Sequence, residues 1–344
     1  MPRIALVGYG RFGRALGALL EAADLGYRAM DPGASLPEGL RAGSVPELLE
    51  GAELVVVAVP VPQVREVLLA LRPHLRPEHL VLDVGSVKVK PVEAMAEVLG
   101  ARVPWVGTHP LFGPLSLAMA ERPMRVVICP NPLHPDAAPR ARRFYEALGC
   151  EVIEQTPEGH DRVMAQTHAL TFFVAKGMVD SGAAVDVPFA PASFKALSRT
   201  IETVRSDAGH LFTAIQQENR FATEARERLL QALQGIHRDL AALPAVASAR
   251  DAAGLALPGL DSGPPEPRET REHIDQLDRE LVELLARRSE LARRQSRAQA
   301  PAEAQAGAET EAVLATRRAW ATELGVDPRA VEALFRLLLD AGPS

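Results

Sequence analysis

Apolar runs of strand length alternate with amphipathic stretches over the first half of the chain. Ile4-Ala5-Leu6-Val7 is apolar without a break; Ala15, Leu16, Leu19 and Leu20 then recur at helical spacing. Further strands are expected at residues 27–30, 54–59, 80–84, 126–129 and 151–153, with a helix over 64–75. Runs that are apolar at every position suit parallel strands covered on both faces. This pattern predicts an α/β, Rossmann-type doubly wound sheet over residues 1–153. From residue 154 the strand signals stop. Residues 160–180, 193–204 and 211–243 read as helices, which predicts an all-α substrate or dimerisation domain over 154–251. Residues 252–267 are rich in Gly, Pro and Ala, including Gly263-Pro264-Pro265-Glu266-Pro267, and read as a linker. Beyond it, Ile274, Leu277, Leu281, Leu284 and Leu291 mark a heptad seam that Arg288 shares. Residues 300–308 break that pattern, and 313–323 and 330–340 read as two more helices, so 268–344 is expected to be an all-α domain.

Composition narrows the function classes. The chain has 344 residues, 47% hydrophobic and 24% charged, with a net charge of −6, which is ordinary for a globular protein and gives no basic face for nucleic acid. The longest apolar run, residues 54–61, contains Pro60 and is too short to span a membrane. The two cysteines, Cys129 and Cys150, suit a reducing compartment and have no metal-ligand spacing, so no metal is expected. No signal peptide precedes the first strand, and a cytoplasmic location is expected.

The chemistry begins with Gly8-Tyr9-Gly10-Arg11-Phe12-Gly13, set between a strand and a helix. In that context Gly8 permits a tight turn, Gly10 lets backbone approach a pyrophosphate, and Gly13 lets helix pack on strand. The helix N-terminus supplies N–H groups for the phosphates. Asp31 ends the next strand, 18 residues after Gly13. A carboxylate there accepts hydrogen bonds from ribose hydroxyls and repels a 2′-phosphate, which favours NAD over NADP. Ser86, in Gly85-Ser86-Val87-Lys88, and His109, in Gly107-Thr108-His109-Pro110-Leu111-Phe112-Gly113-Pro114, are both expected just past strand ends, on the ligand side of the sheet. Lys195 and Arg199 stand at i and i+4 and share one helix face.

Several of these segments together resemble prephenate dehydrogenases, in order and at similar spacing. They are Gly8 to Gly13; Asp83 to Lys88; Gly107 to Pro114; Gly159-His160-Asp161-Arg162-Val163-Met164 with Leu170-Thr171; the Lys195/Arg199 helix; and Leu211 to Asn219. The resemblance covers residues 1 to about 235. It implies NAD-dependent oxidative decarboxylation of prephenate by a homodimer. His109 would be the catalytic histidine and Ser86 its hydroxyl partner. Arg199 would hold a substrate carboxylate, with Lys195, His160 and His168 nearby. Many relatives carry a histidine directly after the Leu-Thr pair; here Phe172 stands there, and His168 lies one turn earlier. Arogenate is the alternative substrate. A ligand-sensing binding protein on the same fold is the reading from another class, and His109, Ser86 and Arg199 argue against it.

Residues 271–278 and 284–292 resemble the long first helix of the all-helical chorismate mutases. Arg271 and Arg288 match the two carboxylate-binding arginines of that helix. A lysine of the family aligns with Gln299, and its arginine–glutamate pair with Glu309 and Thr310. The resemblance therefore implies a mutase-derived domain that has lost cations the rearrangement uses; a bifunctional mutase/dehydrogenase is the alternative.

Overall fold

Thirteen α-helices and seven strands make up the computed structural model over its described residues, which are 3–183, 187, 189–242, 270–298 and 306–340. The chain divides into two compact units. One holds residues 1–118 and 123–246; the other holds 119–122 and 247–344. The expected linker at 252–267 lies outside the described residues.

The first unit is built on a sheet of β1 (Arg3–Val7), β2 (Tyr27–Met30), β3 (Ala52–Val57), β4 (Leu80–Asp83), β5 (Trp105–Pro110), β6 (Met124–Cys129) and β7 (Cys150–Glu154). Their order is β2-β1-β3-β4-β5-β6-β7. All neighbours run parallel except β5 and β6, which are antiparallel. The period of two along each strand divides its side chains between two cores. Ile4, Leu6, Val56, Leu82, Val106 and Ile128 face one side. Ala5, Val7, Val55, Val57 and Val81 face the other. The first core is closed by α1 (Arg11–Ala22) and α6 (Ala137–Ala147); the second by α2 (Val45–Leu49), α3 (Val64–Leu71) and α4 (Val89–Val98). α5 (Pro114–Ala118) follows β5.

Two sequence expectations are corrected here. His109 does not lie past a strand end: it is inside β5, where His109 pairs with Val127 and Pro110 with Val126. Gly-Thr-His-Pro has turn composition, but pairing with β4 on one side and β6 on the other holds it extended. The helical break expected between 204 and 211 is absent. One helix, α9, runs from Ala192 to Glu218, and the chain turns at Asn219, whose Oδ1 accepts the Phe221 N–H at 3.0 Å, before α10 (Ala222–Ala242).

The remaining helices of this unit form a rod with one irregular turn. α7 (Pro157–Met164) is capped by the Thr156 side chain, passes through a π-helical turn at Ala165–Ala169, and continues as α8 (Leu170–Asp180). Gln216 Nε2 on α9 donates to Ala169 O at 2.7 Å, giving a partner to a carbonyl at the wide turn. Phe172 and Ala175 of α8 pack with Ile201, Val204 and Ile215 of α9.

The second unit contains α11 (Thr270–Ala298), α12 (Ala306–Glu323) and α13 (Pro328–Asp340). Leu314 and Ala321 of α12 are buried. The heptad seam on α11 is not: its five apolar residues are 37% to 62% exposed.

Candidate active site

The parallel strands bring the carboxyl ends of β1, β4 and β5 to one edge of the sheet. Gly8 follows β1 with φ +96°, where a Cβ would lie 2.4 Å from Ala58 O. A Cβ on Gly13 would lie 2.2 Å from Gly8 O, so the helix can start here only without one. Gly10 is different: no atom stands within 4 Å of where its Cβ would be, which leaves its backbone open to a ligand. α1 begins with no side-chain cap, so its first N–H groups face outward from the turn. Arg11 is exposed; Phe12 packs against Phe112, with ring centroids 6.4 Å apart, and so ties the glycine loop to the His109 segment. Asp31 Oδ2 accepts the Tyr9 N–H at 2.7 Å and Oδ1 the Gly33 N–H at 2.8 Å. The carboxylate thus holds the loop while keeping lone pairs for a further donor. These features fit a dinucleotide.

His109 is buried and enters a chain of hydrogen bonds whose members are far apart in sequence. His109 Nδ1 lies 2.8 Å from His160 Nε2, and His160 Nδ1 lies 2.7 Å from Asp161 Oδ1. Asp161 is fully buried, and the start of α4 anchors it. Oδ1 accepts the Lys88 N–H at 2.7 Å and Oδ2 the Val89 N–H at 2.9 Å. Asn219 Nδ2 donates to Asp161 O at 2.7 Å and fixes the backbone as well. Beside the strand of this histidine, the Lys88 ammonium pairs with Asp83 and donates to Thr108 O at 2.5 Å. The Thr108 hydroxyl donates to Asp83 O at 2.5 Å and lies 2.6 Å from the Tyr145 hydroxyl.

Burial first, and then the electrostatic effect of neighbouring His160, Lys88 and His168, holds the His109 pKa well below the ordinary histidine value. His168 is lowered to about 4, by burial and then by His160. Both imidazoles are therefore neutral at neutral pH. His168 stands in the π-helical turn, its ring stacked on that of His109 at 6.4 Å and edge-on to Phe172 at 4.9 Å. Ser86 is half-buried in the turn between β4 and α4.

Of the residues expected to touch substrate, the structure brings His160 and His168 to His109. Both ring nitrogens of His160 are spent within the protein, which leaves none for a ligand. Lys195 is exposed near the start of α9; the Arg199 side chain lies outside what is described. Asp161, Lys88, Asp83, Thr108 and Tyr145 had no expected role. Asp161 and Lys88 lie within quoted segments, but they are 73 residues apart and nothing local signals their contact.

Among the described residues no group of three or more His, Cys, Asp or Glu could hold a metal, and no helix is long and apolar enough to cross a membrane. Residues 39–154 match the family model of the prephenate dehydrogenase nucleotide-binding domain, and residues 270–342 that of type II chorismate mutase. The nucleotide-binding part of the chain is thus similar to prephenate dehydrogenases, and its C-terminal part to type II chorismate mutases. A protein of Methanocaldococcus jannaschii named probable arogenate/prephenate dehydrogenase is 28% identical over 54% of this chain and 43% of its own. A 4-amino-4-deoxyprephenate dehydrogenase of Streptomyces pristinaespiralis is 28% identical over 66% of this chain and 80% of its own. The chain spans 32% to 48% of the first three curated relatives it matches. The crystal structure of a prephenate dehydrogenase from A. aeolicus, solved with hydroxyphenyl propionate and NAD+, shares the fold. Its TM-score is 0.57 at 21% identity, over 83% of this chain and 98% of that one.

In the segment that matches the chorismate mutase model, Arg271 is exposed. Arg288 is half-buried and lies over the Phe335 ring at 5.6 Å, as does Arg317. Gln299 and the Glu309 side chain lie outside the described residues.

Proposed function

We propose that this protein is an NAD-dependent prephenate dehydrogenase that oxidises and decarboxylates prephenate to 4-hydroxyphenylpyruvate. The observation that carries the reading is His109: buried, neutral and hydrogen-bonded through Nδ1, it has no partner for Nε2 among the described residues. Such a nitrogen suits a proton acceptor. The glycine loop, with Gly8, Gly10, Arg11, Phe12 and Gly13, and Asp31 would hold NAD. When bound, NAD supplies the acceptor for the hydride that leaves C4 of the ring. His109 Nε2 accepts the proton of the C4 hydroxyl as the C–O bond becomes carbonyl-like. Loss of CO₂ then aromatises the ring. Ser86 would hydrogen-bond near that hydroxyl. Arg199 would hold a carboxylate by a charged, forked contact, with Lys195 and His168 beside the substrate. His160 would act through His109 rather than on the ligand. The domain boundaries that go with this reading are 1–153, 154–251 and 268–344.

Arogenate differs only in carrying an amino group where prephenate carries a keto oxygen, and the names of the curated relatives span both substrates. NAD reduction measured with prephenate and arogenate side by side tests the assignment. Faster turnover of prephenate supports it, and turnover of arogenate alone overturns it.

For the mutase domain we propose weak or absent mutase activity. Gln299, Glu309 and Thr310 stand where the resemblance expects cations and a catalytic carboxylate. Its exposed apolar seam on α11 suits a second copy of the chain. A homodimer is therefore expected, and sedimentation of the full chain checks it.

A further inference from the structure

Three buried side chains in series end at the reactive nitrogen of His109. A carboxylate can only accept hydrogen bonds, so the 2.7 Å contact to Asp161 Oδ1 puts the His160 proton on Nδ1. His160 Nε2 is then an acceptor, so the 2.8 Å contact puts the His109 proton on Nδ1. His109 Nε2 is left with its lone pair. The two rings meet edge-on, at 79° and 5.0 Å between centroids, so one ring presents its edge to the other. All three side chains are at most 5% exposed, so water does not compete for these bonds.

Asp161 is also held in place. It receives the N–H groups of Lys88 and Val89 at the N-terminus of α4, where the helix dipole favours negative charge. The other titratable groups around His109 are Lys88 from the β4–α4 turn, Asp83 on β4 and His168 in the π-helical turn. Lys88 is neutralised by Asp83, and His168 is uncharged. Among the described residues, the negative charge near a protonated His109 that no Lys or Arg pairs is that of Asp161, two hydrogen bonds away.

We propose that Asp161 is a positioning residue that acts through His160 to hold His109 in the tautomer with an unprotonated Nε2 and to stabilise the imidazolium that forms there. The proposal rests on the reading of His109 as proton acceptor. In the step it serves, the substrate O–H bond breaks and the Nε2–H bond forms. The hydride goes to NAD, and Asp161 remains a carboxylate throughout. His160 keeps its own Nδ1 proton.

The test is nitrogen-15 NMR of the imidazole side chains in the full-length protein, assigned with His109→Asn and His160→Asn. Wild-type His109 is expected to carry its proton on Nδ1 and to show Nε2 unprotonated at pH 7. In Asp161→Asn the amide can donate to His160 Nδ1. That reverses both hydrogen bonds and moves the His109 proton to Nε2. Turnover should then fall by about two to four orders of magnitude, as when a neighbouring carboxylate no longer fixes a catalytic histidine. KM for substrate and the affinity for NAD should barely change. A wild-type His109 protonated on Nε2 overturns the proposal, and so does Asp161→Asn with unaltered tautomer and turnover. The wild-type spectrum decides the question even if the variant does not fold. Because it reads protons rather than products, it also stands if neither prephenate nor arogenate is turned over, a result that would instead defeat the dehydrogenase reading.

Discussion

The Lys88 ammonium and the Asp83 carboxylate form an ion pair with side-chain exposures of 0% and 2%, beside the strand that carries His109. Burial pushes the Asp83 pKa upward and Lys88 opposes that shift, so neither charge is comfortable alone. Removing one partner leaves the other charge uncompensated in the core. Lys88→Met is expected to destabilise the protein by about 3–5 kcal/mol, read from urea denaturation. The double variant Asp83→Asn/Lys88→Met should recover much of that loss. Equal stability of wild type and Lys88→Met would mean that Asp83 is neutral in the native state.

His109→Asn is expected to lower kcat by roughly two to four orders of magnitude, the usual cost of losing a general base. Binding of NAD, followed by fluorescence quenching, should stay close to wild type, because the fingerprint at Gly8 to Gly13 is untouched. A variant with near-normal turnover would show that another group takes the proton.

Acid should weaken the fold through His168. Its native pKa is about 4, below the ordinary histidine value of about 6.5 in the unfolded chain. As pH falls through 6.5 the unfolded state binds the proton first, so stability is complete above that value and declines towards pH 4. His109 acts in the same direction. The urea midpoint should drop between pH 7 and pH 5, and drop less in His168→Leu. Identical drops in the two proteins would remove His168 from the account.

Asp31→Ala should narrow the preference for NAD over NADP. It removes a carboxylate that would accept ribose hydroxyls and repel a 2′-phosphate. It also frees the Tyr9 and Gly33 N–H groups, so KM for NAD should rise. The cofactor assignment is wrong if the wild-type protein already prefers NADP.

Chorismate loss, followed by absorbance with the full chain, should be negligible. Turnover in the usual enzymatic range of ~1–10³ s⁻¹ would make the protein bifunctional.

What could be read in the sequence was what is encoded locally. The glycine fingerprint, its flanking strand and helix, and Asp31 lie within 31 residues, and Gly8 and Gly13 each have a steric reason that a neighbour supplies. β5 was hidden because Gly107-Thr108-His109-Pro110 has turn composition and becomes a strand only between β4 and β6. The site was legible one residue at a time. His109 could be singled out by its surroundings, but its partner His160 lies 51 residues away. Asp161 carries no local mark, because its role depends on where α4 begins in space. α9 ran through its expected break for a similar reason: residues on both sides, Ile201, Val204 and Ile215, face one cluster.

The π-helical turn at Ala165–Ala169 bears on how this chain can change over time. Each residue of an α-helix advances the rotation by about 100°. Adding one residue here, where the wide turn already accommodates an extra one, would swing everything after it around the axis. Phe172 and Ala175 would leave the cluster with Ile201 and Ile215, and Ala169 O would turn away from Gln216. His168 would leave the His109 ring. Substitutions in this stretch change one contact at a time, whereas an added residue breaks the core and the site together. The spacing between His160 and Phe172 is therefore a quantity that descendants of this sequence can lengthen only at the cost of refitting α9.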